Sequence, residues 1–486
     1  MKAVGLSSIF LLFAFACAAQ VWPAEGSKLN YILAGFMAEK KQAVFRTEFK
    51  VAAGNFKNEE EFEKNIFARE VSDSGKALIK LPGYGQEYTW QYVTSNGDKT
   101  LRSGLIHFST LSSVYVDPEQ RRLKIIKPYG GTNLFFLLDY ARVIYDMQGQ
   151  AQWFLPDIPG HIDSGTLVRD MRVTPFGTIT FLTDTGAYEI DYNARILWRG
   201  PKPADSAGKK KFGNYHHEFR RLNNGNYMLL GSEKARKKLP IADRSKLIAM
   251  ADAERIGDDI YADIDYGTVV QYTPSGKKVW EWKSAGYFNN DEILWQDARG
   301  GYNATTHMNS FNFDEARKVI YVSFRDRDRI VKLRYPDNKI LAEYGRGKSG
   351  GGLFSGQHSV MIDHMGDLYI YNNNVGPGKR NPVSSIQILK EPKSFKESLT
   401  VDWEFNCDID SLAEHASTRG GNVTEVNSNE FFCCMGMSPR VLIADRNKKI
   451  LFNAIAQNRG NTGWLNSQQY HAYPLYMASL GRIIFR

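Results

Sequence analysis

From about residue 130 onward the chain alternates apolar and polar residues in short runs, which come in pairs joined by turn residues. MRVTPFGTITFLT (171–183), QYTPSGKKVWEW (271–282), KLRYPDNKILAEY (332–344) and IADRNKKILFNA (443–454) show the pattern, as do YDMQGQAQWF (145–154), EIDYNARILWRG (189–200) and NVTEVNSNEFFCC (422–434). Period-two alternation broken by Gly, Pro, Asn and Asp marks antiparallel strands and not helices. Grouped in order, the runs supply about four short strands per unit of roughly 45 to 60 residues, in about six units. The expectation is an all-β chain in which residues 126–486 form a six-bladed β-propeller with a C-terminal closing segment. An array of sandwiches would use similar hairpins, but it would not explain a position that is chemically special in several repeats. Residues 28–125 lack the repeat and predict a smaller, mostly β N-terminal domain, with a short helix over NEEEFEKNIFARE (58–70).

Three hairpins begin with a histidine: His217 in YHHEFRRLNNGNYMLLG, His307 in THMNSFNFDEARKVIYVSFR and His358 in GQHSVMIDHMGDLYIYNNN. The first and third align without a gap, each with a glycine eight residues on, Gly225 and Gly366. Equivalent positions of propeller blades face one central channel, so the three imidazoles are expected to converge. Antiparallel pairing sets the start of one strand beside the end of the next. That places Arg325 near His307, and Asn372, Asn373 or Asn374 near His358. The same register puts Arg169 where the histidines stand elsewhere and leaves a gap at Gly421. His216, one residue from His217, should point away and act in support. Asn309 lies in the His307 motif and joins Asn372, Arg169 and His216 as a candidate for substrate binding. No Asp or Glu falls at an equivalent position.

Composition changes this picture little. The aromatic share of 13% suits strands, and 24% charged residues suit a globular chain. The formal charge of +9 favours approach of a small anion, and no nucleic-acid motif accompanies it. Basic clusters at Lys209–Lys211, Arg220–Arg221 and Lys234–Lys238 read as solvated loops. MKAVGLSSIFLLFAFACAAQ predicts a secretory signal peptide over residues 1–19 and a periplasmic protein, with lipidation of Cys17 as the lesser alternative. No run is long enough to span a membrane as a helix. In an oxidising compartment Cys407 could pair with Cys433 or Cys434. The spacing of these cysteines suggests no zinc site.

Three imidazoles alone would suit a transition metal. A guanidinium at the same centre argues against one, because it stays protonated and repels a dication. His and Arg together suit a tetrahedral oxyanion, and a neutral imidazole among them could hold a transferred group covalently. The expectation is a site with no metal and no cofactor.

YHHEF, THMNS with the Arg of VSFR eighteen residues on, and GQHSV followed by YNNN resemble the bacterial aryl-sulfate sulfotransferases. The resemblance runs from about residue 125 to the tail SQQYHAYPLY. It implies an exported six-bladed propeller that moves a sulfuryl group from a phenolic sulfate ester to a phenol by a ping-pong route. It further implies His358 as the sulfated nucleophile, with His217, His307 and Arg325 binding the sulfuryl oxygens and steadying the leaving phenolate. The family's cysteine pair before the nucleophile motif is replaced here by GRGKSGGGLFSG (345–356), and the N-terminal region carries no match. An arylsulfatase-like hydrolase and a non-enzymatic anion- or metal-binding propeller are the alternatives. The oligomeric state stays open, a homodimer included.

Overall fold

The computed structural model describes residues 21–39, 46–96, 99–131, 133–201, 215–241, 253–289, 292–296, 302–304, 306–376, 382–394, 397–414 and 417–486. The signal-peptide segment with Cys17 and the run Lys209–Lys211 lie outside them. The described chain is nearly all β and divides into two compact units, residues 1–111 and 112–486. The boundary expected near 125 falls earlier, after Leu111. The later residues fall in the second unit, where strand Arg121–Lys127 pairs with strand Ile450–Gly460.

In the first unit, strands Ser27–Leu29, Ile106–Thr110, Glu87–Asn96, Arg46–Ala53 and Ile66–Ser72 form one sheet in that order. Phe36, Phe49, Tyr88, Trp90 and Phe108 are buried on it. The predicted helix over 58–70 is only half present: Glu59–Lys64 is helical, and Ile66–Ser72 is a strand. Asn58 caps the helix by accepting the Glu61 N–H at 2.9 Å, and Asn65 closes it. Beyond that point Ile66 and Val71 favour a strand, and pairing with Arg46–Ala53 uses it.

The second unit is built from six sheets of at least four antiparallel strands among the described residues. Their first strands are Arg169–Val173, Tyr215–Arg221, Met308–Asp314, His358–Ile362 and Asn422–Asn427. The remaining sheet is led by Ala472–Tyr476, which pairs with Leu134–Leu138 from the other end of the unit. Each of these first strands packs against the next in chain order. Asn422–Asn427 packs against Ala472–Tyr476, which in turn packs against Arg169–Val173. Apolar side chains fill the spaces between neighbouring sheets, as with Met228, Ile320, Val322 and Phe324 in one layer and Tyr371, Ile386, Val423 and Leu442 in another.

The repeat seen in the sequence is a repeat of turns. Thr174 donates its N–H to the Thr178 carbonyl, Leu222 to Asn226 and Asp363 to Asp367, at 2.8, 2.8 and 2.9 Å. Gly177, Gly225 and Gly366 take positive φ in these turns, at 70°, 84° and 88°. Cys407, Cys433 and Cys434 are free, buried thiols, so the expected disulfide is not formed. Cys407 and Cys433 sit in an apolar layer where they pack as small hydrophobic residues. Lys234–Lys238 is not a loop either; it lies on strand Tyr227–Leu239 opposite the acidic strand Asp259–Tyr272.

Candidate active site

The first strands do not start as regular strands. Their pairing slips near the N-terminal end, between Arg169 and Arg172, Tyr215 and Phe219, Met308 and Ser310, and His358 and Met361. A residue of left-handed φ lies within or just before each slip: Asp170 at 52°, His217 at 63°, His307 at 43° and Ser359 at 55°. Such bulges re-aim side chains and break the period-two rule. The bulge of the His217 strand holds one residue more than those of the Arg169 and His358 strands. His216 therefore does not point away, as alternation predicts. It lines the same cavity as His217.

The structure brings the predicted histidines together. The His217 ring centroid lies 5.4 Å from that of His307, 6.5 Å from that of His358 and 4.7 Å from that of His216. Hydrogen bonds assign the tautomers. Asn373 donates its amide to the carbonyls of Ser417 at 2.6 Å and Gly420 at 3.1 Å. Its Oδ1 is thereby turned to His358, whose Nδ1–H donates to it at 2.5 Å. The His358 Nε2 lone pair is left facing the Gly420 N–H at 3.3 Å. His216 donates from Nε2 to the Gly231 carbonyl at 3.1 Å, so its Nδ1 accepts from His217 Nδ1 at 2.6 Å. His307 donates from Nδ1 to Asp326 Oδ2 at 3.2 Å. All three site imidazoles thus commit Nδ1 to a protein partner.

The backing groups differ: an imidazole behind His217, a carboxylate behind His307 and an amide behind His358. Burial, then the Arg325 charge and His307, push His358 well below the ordinary histidine range. Burial and the neighbouring imidazoles do the same to His217, and lower His216 to about 4. Burial opposes ionisation of Asp326, but His307 and Arg325 hold it well below the usual carboxylate range. It is an ionised group inside a site whose repeat register contains no carboxylate. The RDRDR stretch that carries it gave the one available signal, a carboxylate next to the candidate arginine.

Arg325 donates its backbone N–H to the His307 carbonyl at 3.0 Å, as the register predicts. Its guanidinium reaches Asp326 at 2.5 Å and the Thr418 carbonyl at 2.8 Å. Arg169 lines a cavity of about 390 Å³ with Asp184, Tyr215, His216, His217, Ser232 and Tyr470. It is ion-paired there with Asp184. Two candidates for substrate binding are engaged elsewhere. Asn372 Oδ1 accepts the N–H groups of Ser355 and Asn374, both at 3.0 Å, and it is the next residue, Asn373, that holds His358. Asn309 donates to the Gln357 carbonyl at 2.7 Å and so fixes the backbone just before His358.

Tyr470, in the C-terminal segment just before strand Ala472–Tyr476, carries no sequence signal for a role in the site. Its ring stands 5.9 Å from His217 and stacks on His471 at 4.1 Å and Tyr140 at 6.1 Å. Asp139 holds it there by accepting the N–H groups of Tyr470 at 3.1 Å and His471 at 2.9 Å. The arrangement combines an aromatic wall, neutral imidazoles and a guanidinium, which is suited to an aromatic ester of a small oxyanion.

The molecule is therefore an all-β protein with a buried basic site at the bulged starts of its first strands. The sequence model of the Arylsulfotransferase (ASST) family matches residues 119–402, more than half of the chain, and the chain belongs to that family. Membership supports aryl sulfotransferase activity on small-molecule substrates. No curated protein matches the chain. Among solved structures it is similar to a Bacteroides caccae protein of unknown function, at 12% identity and a TM-score of 0.40, over 73% of this chain and 99% of that one. It is also similar to apo AztD from Citrobacter koseri, at 8% identity and a TM-score of 0.31, over 89% and 98%. The periplasmic gluconolactonase PpgL of Pseudomonas aeruginosa is similar at 8% identity and a TM-score of 0.32, over 72% and 95%.

Proposed function

We propose that this chain is an exported aryl-sulfate sulfotransferase that works by a ping-pong route through a sulfohistidine at His358. The observation that carries the reading is the fixed tautomer of His358: Nδ1–H is held by Asn373, which leaves Nε2 unprotonated in a buried, basic setting, where it accepts the Gly420 N–H. In the first half-reaction the Nε2 lone pair attacks sulfur. The N–S bond forms, the bond from sulfur to the phenolic oxygen breaks, and the phenolate leaves. The Gly420 N–H, which faces Nε2, becomes a donor to the transferred group. Arg325 offers N–H groups to the sulfuryl oxygens, while His217, whose Nδ1–H is spent on His216, presents only an acceptor at Nε2. His307, backed by the Asp326 carboxylate, is best placed to carry a proton to the leaving oxygen. In the second half-reaction a phenol gives its proton back to that imidazole and attacks sulfur, and the N–S bond breaks.

Six sheets, with first strands that pack in sequence and return to the strand Ala472–Tyr476, support a six-bladed propeller closed by the C-terminal segment. The apolar leader supports export to the periplasm. No described helix is long and apolar enough to cross a membrane. The test is His358→Ala with a chromogenic aryl sulfate. Turnover is expected to vanish while the fold is retained; turnover at the original rate excludes the covalent route. Sulfated product that requires added phenol supports transfer, whereas free sulfate released without phenol makes the enzyme a hydrolase.

A further inference from the structure

The strand that carries His217 and the strand that follows His307 have a second end. There, at the turns, lies a cavity of about 300 Å³ lined by Arg172, Arg220, Arg221, Asn312 and their neighbours. Arg220 and Arg221, expected in a solvated loop, both sit on strand Tyr215–Arg221. Arg172 is only 7% exposed.

Hydrogen-bond donors exceed acceptors in this cavity. Arg172 spends Nε on Asp170 at 2.8 Å, and the nearest carboxylate oxygen to its Nη2 is Glu218 Oε1 at 3.5 Å. Arg220 Nη2 and Asn312 Nδ2 share one weak acceptor, the Met361 sulfur, at 3.1 and 3.3 Å. Arg220 comes no closer than 3.7 Å to Glu218. Arg221 lies flat on Tyr227, 3.9 Å from Glu189, and among the described residues its Nε and Nη1 have no hydrogen-bond partner.

Glu218 Oε1 is buried without a hydrogen-bond partner, a single acceptor against the unpartnered nitrogens of Arg172 and Arg221; the other nearby carboxylates accept protein donors. Asp170 accepts from Arg172, His471, Tyr473 and the Phe219 N–H, and Glu315 accepts the Asn223 N–H at the rim. Burial and then the Arg172 charge pull Arg220 below its ordinary value, whereas burial at Arg172 is outweighed by Asp170, Tyr473 and Glu218, which hold it above its own. A buried guanidinium without full acceptors is costly, and an anion removes the cost.

We infer that this cavity is a second, anion-binding site, at the opposite end of the first strands from the histidines, which takes a small oxyanion through Arg172, Arg220, Arg221 and Asn312. The ligand class is a tetrahedral inorganic oxyanion or the carboxylate of a small organic molecule. The site is independent of the chemistry assigned to His358.

The experiment is calorimetric titration of the full chain with sodium sulfate at constant ionic strength, in a His217→Ala/Arg325→Ala background that disables the histidine site. One sulfate per chain is expected to bind still. Adding Arg220→Gln and Arg221→Gln should weaken it at least tenfold. Asn312→Asp, a near-isosteric change that supplies the missing acceptor from within, should weaken it equally without lowering the melting temperature. It decides alone if the arginine variant does not fold. Sodium phosphate and sodium benzoate arms separate an inorganic oxyanion from a carboxylate. The inference is overturned if none of the three binds in the histidine-site background, or if binding survives both cavity variants.

Discussion

His358 is held by Asn373, an amide with no charge of its own. An amide fixes the tautomer without stabilising the imidazolium, which suits a nucleophile that must stay neutral. Asn373→Ala should leave the fold intact and lower turnover roughly 10²-fold, read from initial rates with an aryl sulfate. Arg325→Lys keeps the charge but loses the planar fork, and a fall of similar size is expected in kcat more than in KM. The pH dependence follows from the depressed imidazoles. His358, His217 and His216 are all held below the ordinary value of 6.5, His216 at about 4. The unfolded chain therefore binds more protons than the folded one in that window, so stability rises with pH there. It is fully present above 6.5 and is lost as pH falls toward 4. The melting temperature should drop between pH 7 and pH 5, and His216→Gln should flatten that drop. Neutral His358 should likewise keep the acid limb of kcat below 6.5.

At the scale of the strand, the bulges decide which side chains reach the site. The alignment of His217 with His358 was legible because Gly225 and Gly366 sit at fixed distances in equivalent turns. The extra residue in the His217 bulge was not legible, since a bulge arises from pairing with the neighbouring strand and leaves no local pattern. That is why His216 enters the cavity against the alternation rule, and why the register could narrow the partner of His358 only to three asparagines. Asp326 escaped notice because it follows the strand that the register covers and lies in a short helical turn. The gap in the ring at Gly421 is built into the backbone. Its φ is 96°, and a Cβ there would lie 2.4 Å from the Tyr371 ring. Gly421→Ala should destabilise the fold by about 1–3 kcal/mol, measured as a lower urea midpoint.

Across the second unit, the last strand joins the two ends of the chain. Ala472–Tyr476 pairs with Leu134–Leu138, and Asn422 bonds both the carbonyl and the N–H of Ala472, at 2.8 and 2.9 Å. Asp139 anchors the residues just before it. The same segment brings Tyr470 to His217, so pairing the ends of this unit and completing the site are one event. Removal of residues 468–486 should abolish both cooperative melting of this unit and activity, as followed by circular dichroism and by aryl sulfate turnover. The tail SQQYHAYPLY was recognisable in the sequence, but its contact with the histidines depends on pairing between strands more than 300 residues apart. The most direct test of the account is the mass of the peptide containing His358 after brief exposure of the protein to an aryl sulfate without a phenol acceptor. The account expects one added sulfuryl group on His358, removed when phenol is supplied. An unmodified His358 peptide during active turnover, or the group on another residue, would contradict it.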